Sequence, residues 1–349
     1  MIRLPIQLSR DITFHLTHAY PYLVINSSTT YADLLNEHYM QSIAKVFESG
    51  WLETDYLDGF AYGSIDNLDS RILKTCMFSC DELSFRDEIK LICRLLHDGY
   101  YVVAFVDEFY LPKRLFTNYK HFTHEFLIYG YDEEEIYAIG YDINRHFSKL
   151  QFPLRSFKSA LKASEEALQL RDACSWPHDK TIIGMRPVPR NEEYVADHEV
   201  IRNKIDEYMN GKHYNQNAWL FQSNPELGEK EKSEGPSISM YGRNTYLIIK
   251  KHLNIINQKL INGKQVHFDA YYPHIHFFYE QSLMTLHRAE YVNDGSQKAQ
   301  DIQKQLKHDS EILDRTRRLY LKAEIVANNT NRCRSIVERM INEIDELYS

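Results

Sequence analysis

His124 and Asp142 are the two residues whose types and spacing best suit acid–base chemistry in this sequence. They lie 18 positions apart and enclose a predicted β-hairpin, with one strand from Phe126 to Tyr131 and a second from Ile136 to Tyr141. In an antiparallel hairpin the start of the first strand lies beside the end of the second, so the two side chains are predicted to be neighbours. A histidine beside a carboxylate is the base and the orienting group of a nucleophilic triad. The alternative is a histidine at a strand end that makes only local hydrogen bonds.

The apolar segment from Tyr100 to Phe109 predicts a third strand beside this hairpin, which gives a sheet able to position His124. Other elements are indicated by strand alternation, helical spacing and capping residues. We predict strands at 12–18, 68–77, 147–152 and 180–188, and a second apolar segment at 20–25. Helices are predicted at 31–47, 84–97, 153–168, 192–209, 241–261, 273–291 and 296–347, with a break in the last one near 328–331 as an alternative. Ser27 and Ser28 belong to a cluster of N-cap candidates just before the helix predicted at 31–47.

The pattern of the chain changes after residue 190, from mixed strands and helices to almost continuous helix. A polar stretch with glycines and a charged run interrupts the helical part at 210–236. These features predict one domain at 1–190 and a helical domain at 191–349, with a flexible loop near 210–236. A hydrophobic content of 43% in 349 residues is enough for substantial packed cores.

Charge and cysteine content exclude several classes of protein. The formal net charge of −8 gives no electrostatic reason to expect a nucleic acid or an anionic membrane as partner. The sequence has no apolar run of about 20 residues, as a membrane span needs, and its beginning lacks the pattern of a signal peptide. The five cysteines are scattered, which fits a reducing compartment better than a disulfide scaffold. We therefore expect a cytoplasmic protein.

One helix carries residues that could bind a metal ion. His276, Glu280 and His287 fall on one face of the helix predicted at 273–291. In an aromatic-rich helical bundle, however, such a face is usually a hydrogen-bonded polar layer. The sequence also lacks a Walker loop, a dinucleotide fingerprint and a kinase motif. We therefore predict no metal site and no cofactor.

The order of several short motifs resembles the butirosin biosynthesis protein H family, a papain-like family related to bacteriocin-processing cysteine peptidases. The resemblance rests on the strand Val102 to Asp107 followed by Tyr110-x-Pro112, on His124 before Gly130-Tyr131-Asp132, on Asp142, and on a strand leading into the helix that contains Phe157. It is strongest over residues 99–165 and weaker over the rest of the chain.

This resemblance implies an α+β fold in which a papain-like domain with a central antiparallel sheet precedes a mostly helical domain. It also implies acyl chemistry in secondary-metabolite biosynthesis of the nonribosomal peptide type, with His124 as base and Asp142 as its orienting group. The implied partners are an acyl or peptidyl carrier protein, which presents the acyl group as a thioester, and a small-molecule substrate.

The sequence departs from the family at the nucleophile. A papain-like nucleophile is a cysteine at the N-terminus of the first long helix, where the helix dipole and the histidine lower the pKa of the thiol. Residues 25–35 contain no cysteine, so Ser27 or Ser28 would have to supply a hydroxyl nucleophile, although both also suit simple helix capping. Two functions therefore remain open. One is an acyltransferase or a thioester- or amide-cleaving enzyme, and the other is a catalytically inactive papain-like protein that binds a carrier protein or a metabolite.

Overall fold

Strands and helices alternate in the first half of the protein, and helices dominate the second half. The computed structural model describes residues 1–9, 11–61, 71–79, 85–169, 181–211 and 237–348. The strands are β1 (Ile2–Arg3), β2 (Ser42–Phe47), β3 (Leu52–Tyr56), β4 (Leu73–Ser79), β5 (Tyr101–Asp107), β6 (Thr123–Tyr131), β7 (Glu135–Tyr141), β8 (Phe147–Pro153), β9 (Thr181–Pro187) and β10 (Ser237–Tyr241). The α-helices are α1 (Leu16–Asn26), α2 (Phe85–His97), α3 (Leu154–Gln169), α4 (His198–Met209), α5 (Thr245–Ile261), α6 (Tyr272–Tyr291), α7 (Gln297–Ile325) and α8 (Thr330–Glu346). The predicted α+β class is therefore confirmed.

The chain forms two compact units that do not follow the predicted division at residue 190. Unit 1 comprises Met1–Ala32 and Phe60–Tyr194, and unit 2 comprises Asp33–Gly59 and Val195–Ser349. The early segment Asp33–Gly59, which the sequence division assigned to the first domain, thus packs with the second half of the chain. The loop predicted near 210–236 lies, from residue 212 onward, outside the described residues.

Unit 1 is built on an antiparallel sheet with the strand order β4–β9–β5–β6–β7–β8, and β1 pairs with the far end of β6. The three adjacent strands predicted from the sequence, β5, β6 and β7, lie in its centre. The register places Val106 opposite His124 and Asp107 opposite Thr123. The end of β5 and the start of β6 therefore lie side by side, which brings the residues around position 108 close to those around position 124.

The core of unit 1 forms where α2 and α3 pack on this sheet. Because side chains alternate across a strand, every second residue of β5 and β6 faces the two helices. Val102, Ala104 and Phe126 are buried in this way against Leu96 of α2 and Phe157 of α3. The close packing fixes the ends of β5 and β6 relative to each other.

The region before β2 differs from the prediction. The strand predicted at 12–18 is wrong, and the apolar segment at 20–25 is helical, because residues 16–26 form α1. Almost every residue of α1 is buried, so the helix lacks the polar stripe by which an amphipathic helix is recognised and resembles an apolar strand in sequence. The helix predicted at 31–47 is also wrong, because a short 3-10 helix at Ala32–Glu37 precedes the strand β2.

Unit 2 combines a small antiparallel sheet in the order β10–β2–β3 with the helices α4 to α8. Helix α5 packs on β2 and on α8, and α7 packs on both α6 and α8. The prediction of a helical second half is right for most of its described residues, whereas β10 was missed. None of the helices in the described ranges has both the length and the apolar character that a membrane crossing needs.

Candidate functional site

The candidate site lies at the end of β5 and the start of β6, where His124 is the second residue of β6. The His124 ring stacks on Tyr141 with 6.3 Å between ring centroids, and the rings of Phe122 and Phe126 approach its edges. About a quarter of the His124 side chain, 23%, remains exposed. The imidazole is thus held by aromatic contacts and is still accessible.

The carboxylate that orients His124 belongs to Glu108, not to Asp142. Nδ1 of His124 lies 2.9 Å from Oε1 of Glu108, and the same oxygen accepts a hydrogen bond from Nη2 of Arg114. Both Glu108 and Arg114 are almost fully buried, and the guanidinium of Arg114 lies over the ring of Phe126. The neutral tautomer of His124 therefore carries its proton on Nδ1 and leaves the lone pair on Nε2.

The electrostatics of this pair favour a charged imidazole. Burial lowers the pKa of His124, but the hydrogen bond to Glu108 and the charges of Glu125 and Glu108 outweigh burial and raise the pKa above its usual value. Burial raises the pKa of Glu108, but its hydrogen bond to His124 and the charge of Arg114 lower it overall. Oε2 of Glu125 lies 3.8 Å from Nε2 of His124, so a second carboxylate lies on the other side of the imidazole ring from Glu108.

Asp142 does not act as the partner of His124. Its Oδ1 accepts hydrogen bonds from the backbone N–H groups of Asn144 and His146, at 2.8 and 2.9 Å, and its Oδ2 lies 3.7 Å from Nδ1 of His146. Aspartate commonly binds backbone N–H groups of its own turn in this way. The prediction failed because Asp142 closes the turn between β7 and β8 with its carboxylate, even though β6 and β7 pair as expected.

Ser27 and Ser28 do not have the surroundings of a nucleophile. They follow the C-terminus of α1, where the helix dipole is negative and carbonyl groups, not N–H groups, are exposed. The hydroxyl of Ser27 donates to the carbonyl of Leu23 at 2.6 Å and accepts from the N–H of Gln7 at 2.9 Å. The hydroxyl of Ser28 accepts from the N–H of Thr30 at 3.3 Å. The prediction that they begin the first long helix is wrong, because that helix ends just before them.

The start of α1 carries neither a cysteine nor a serine. Its N-cap residue is His15, and its first residue is Leu16. The hydroxyl of Tyr141, whose ring stacks on His124, donates a hydrogen bond to the backbone carbonyl of Thr13 just before this helix. A side chain of β7 thus connects the surroundings of His124 to the beginning of α1.

The thiols that the structure describes in unit 1 are poor nucleophiles. Burial raises the pKa of Cys76 and also that of Cys93, so neither is held as a thiolate. Cys80 and Cys174 lie outside the described residues.

A second histidine–carboxylate pair lies next to the first. Asp107 is fully buried at the end of β5, and its Oδ2 lies 2.6 Å from Nδ1 of His121. Oδ1 of Asp107 accepts from the backbone N–H groups of Phe109 and Phe122, at 3.1 and 3.0 Å. Two consecutive residues, Asp107 and Glu108, therefore each orient one histidine.

The sequence contained a signal for this arrangement. Asp107-Glu108 ends one strand, and His121 and His124 stand at the start of the next antiparallel strand, so the same neighbour rule that suggested Asp142 also applies here. The hairpin of β6 and β7 suggests Asp142 by this rule, and the neighbouring pair of β5 and β6 suggests Asp107 and Glu108 equally well. Arg114, in the intervening loop, gave no signal of its own.

His276 and Glu280, two of the three residues that were weighed as metal ligands, belong to a polar cluster in unit 2. Nε2 of His276 lies 3.1 Å from Oε1 of Glu280, and the guanidinium of Arg317 lies 3.5 Å from Nδ1 of His276. Within the described residues no group of three or more histidine, cysteine, aspartate or glutamate side chains is arranged to hold a metal ion.

No protein-family model and no curated protein matches this sequence.

Proposed function

We propose that the protein is an acyltransferase or a thioester- or amide-cleaving enzyme in which His124 is the general base. The observation that carries the proposal is the hydrogen bond between Nδ1 of His124 and Oε1 of Glu108, which leaves Nε2 as the proton acceptor. A general base works best with a pKa near the operating pH, and the carboxylates around His124 raise its pKa above the usual value.

The mechanism needs no nucleophile from the protein. Nε2 of His124 takes the proton of a water molecule, or of an acceptor hydroxyl or amine, as the oxygen or nitrogen attacks the carbonyl carbon. The bond from carbon to the leaving sulfur or nitrogen then breaks, and the imidazolium returns a proton to the leaving group. Glu108 stabilises the imidazolium that forms, and Arg114 holds Glu108 in place.

The substrate class comes from the motif resemblance. It suggests a papain-like fold, an acyl group delivered as a thioester on an acyl or peptidyl carrier protein, and a role in secondary-metabolite or antibiotic biosynthesis of the nonribosomal peptide type. A cytoplasmic location is consistent with such a pathway and with the scattered cysteines.

The test measures the cleavage of two substrates, an aminoacyl N-acetylcysteamine thioester and the same aminoacyl group carried as a thioester on a carrier protein. The release of free thiol reports cleavage of either substrate. We expect His124→Asn to lower the rate by roughly 10²-fold or more, because the general base is lost. His146→Asn is the matched control, since His146 also pairs with an aspartate of unit 1 but is 73% exposed and lies outside the site. Equal rates for the parent protein and His124→Asn would contradict the proposal.

A second candidate is a catalytically inactive papain-like protein that binds a carrier protein or a metabolite. It is favoured by the start of α1, where His15 and Leu16 stand in place of a nucleophile. In this case the parent protein and His124→Asn bind an aminoacyl carrier protein with the same affinity, and neither turns it over. Carrier-protein binding measured by calorimetry, together with the thiol-release assay, separates the two functions.

A further inference from the structure

Asp107 and His121 form a histidine–carboxylate pair that the proposed mechanism does not use. Asp107 is fixed by three hydrogen bonds, two from backbone N–H groups to Oδ1 and one from His121 to Oδ2. Its carboxylate is completely buried, so it cannot turn towards solvent. A buried carboxylate that is fixed in this way holds the imidazole that it contacts in one orientation.

The outer nitrogen of His121 is open to a ligand. The His121 ring stacks on Phe109 with 4.3 Å between centroids, and 43% of its side chain is exposed. Among the described residues, Asp107 is its polar partner, and this contact uses Nδ1. Nε2 of His121 can therefore exchange a proton with a bound molecule.

His121 also lies near the proposed general base. His121 and His124 are three residues apart in the segment that enters β6, so their Cα atoms are at most about 10 Å apart. Their carboxylate partners, Asp107 and Glu108, are consecutive in the chain. A small substrate can span this distance.

We infer that His121 is a second catalytic residue, a general acid that donates the proton of Nε2 to the leaving nitrogen when the substrate is an amide. This role rests on the proposed function of His124. Asp107 acts as the positioning residue that holds the imidazolium of His121.

A leaving nitrogen needs a proton, and His121 can donate it directly, so that His124 does not have to return the proton that it took from water. His124 accepts a proton from water as the oxygen attacks the carbonyl carbon. The C–N bond breaks as His121 donates its Nε2 proton to the nitrogen, which leaves as a neutral amine. His124 then holds one extra proton and His121 lacks one, and exchange with solvent restores both, since each side chain is partly exposed.

A thioester does not need this acid. A thiol has a pKa of about 8.5, so a thiolate leaves the tetrahedral intermediate without a proton, whereas an amine cannot leave as its anion. His121 should therefore matter for amides and not for thioesters.

The experiment compares two substrates with the same aminoacyl group, an N-acetylcysteamine thioester and the amide in which nitrogen replaces the sulfur. We expect His121→Asn to slow amide cleavage by roughly 10²-fold and to leave thioester cleavage within about twofold of the parent rate. Added imidazole should partly restore amide cleavage by the smaller variant His121→Ala. His146→Asn is the control and should cleave both substrates at the parent rates, and circular dichroism checks that each variant is folded.

The outcomes separate this inference from the proposed function. Suppose that the parent cleaves both substrates. If His121→Asn then slows both reactions equally, or slows neither of them, His121 is not the general acid, and His124 remains the base. If the parent cleaves only the thioester, the general-acid role is also overturned. If the parent cleaves neither substrate, the proposed function itself fails and the role of His121 fails with it.

Discussion

Glu108 accepts hydrogen bonds from two cationic side chains through one carboxylate oxygen. Its Oε1 binds both Nδ1 of His124 and Nη2 of Arg114, in surroundings that are nearly closed to water. Interactions of charged groups are stronger in such surroundings than at the surface. Against the effect of burial, which lowers the pKa of His124, the leading cause that raises it is therefore a residue 16 positions away in the sequence.

Replacing Glu108 with Gln should lower the pKa of His124. The substitution removes the charge that opposes the effect of burial, and burial alone lowers the pKa of a histidine. The measurement is an NMR titration of the His124 Cε1–H signal in the parent and in Glu108→Gln. Glu133→Gln, in the exposed turn between β6 and β7, is the control and should leave the midpoint unchanged. An unchanged midpoint in Glu108→Gln would mean that Glu108 does not hold the charge of His124.

His124 could be found from the sequence, whereas Glu108 could not be distinguished from Asp142 as its carboxylate partner. His124 stands at the start of a strongly apolar strand, which the composition of β6 reveals. The choice between Asp142 and Glu108 depends on which way each side chain turns at a strand end. Asp142 turns towards the N–H groups of its own turn, and such local hydrogen bonds are decided by a few atoms.

The contact between β1 and β6 explains why Gly130 has to be a glycine. A Cβ atom at this position would lie 2.6 Å from the carbonyl oxygen of Ile2 and 2.9 Å from Cα of Arg3. The backbone of β1 thus approaches β6 more closely than a side chain permits. Gly130 is required here by the contact between two strands, not by an unusual backbone angle.

Gly130→Ala should destabilise unit 1 by roughly 1–3 kcal/mol, the usual cost of forcing extra atoms into a packed contact. The penalty should become smaller in a chain that lacks residues 1–3, because the backbone that clashes with the new Cβ is then absent. A double-mutant cycle of denaturant unfolding isolates this coupling, which we expect to be about 1 kcal/mol or more. Additive effects of the substitution and the truncation would show that β1 is not the cause.

The central strands were predictable because their sequence is locally consistent, whereas α1 was not. Strands β5, β6 and β7 are rich in β-branched and aromatic residues and are separated by polar turns, so pattern and structure agree. Helix α1 is buried nearly all round, and periodicity cannot distinguish a buried helix from a buried strand. If α1 is taken for strand, the first long helix is predicted to begin near Ser28. This misplaced helix start is the reason for the wrong prediction of a serine nucleophile.

The two units are interleaved along the chain. The segment Asp33–Gly59 supplies β2 and β3 to unit 2, where β2 pairs with β10 about 190 residues later. Such a pairing cannot be found from local periodicity, because each strand satisfies its backbone only when the distant partner is present. The spacing of apolar residues predicts the helices in the second half of the chain, but it does not predict the sheet that packs with them.

His252 ties this inserted segment to the helices of unit 2. It is completely buried in α5, with Nδ1 at 2.8 Å from the carbonyl oxygen of Gly50 and Nε2 at 3.0 Å from the hydroxyl of Tyr320. Nδ1 therefore donates and Nε2 accepts, which requires the neutral imidazole. Burial is the main cause that lowers the pKa of His252 to about 4.

The stability of unit 2 should therefore fall as the pH is lowered from about 6.5 towards 4. The unfolded chain binds a proton at His252 below its ordinary pKa of 6.5, whereas the folded protein resists protonation until about pH 4, so the unfolded state gains protons first. From this pKa difference we expect a loss of about 2 kcal/mol between pH 7 and pH 5 from this residue alone. The measurement is the free energy of urea unfolding at pH 7 and at pH 5, monitored with a spectroscopic signal that comes from unit 2.

Other groups titrate in the same range, and burial also lowers the pKa of His38 in unit 2. The contribution of His252 is therefore isolated with His252→Asn, whose amide can still donate to Gly50. This variant should be less stable than the parent at pH 7 but should lose about 2 kcal/mol less between pH 7 and pH 5. His308→Asn, at an exposed position of α7, is the control and should keep the parent's dependence. If His252→Asn loses as much stability as the parent over this interval, protonation of His252 is not what weakens unit 2 in acid.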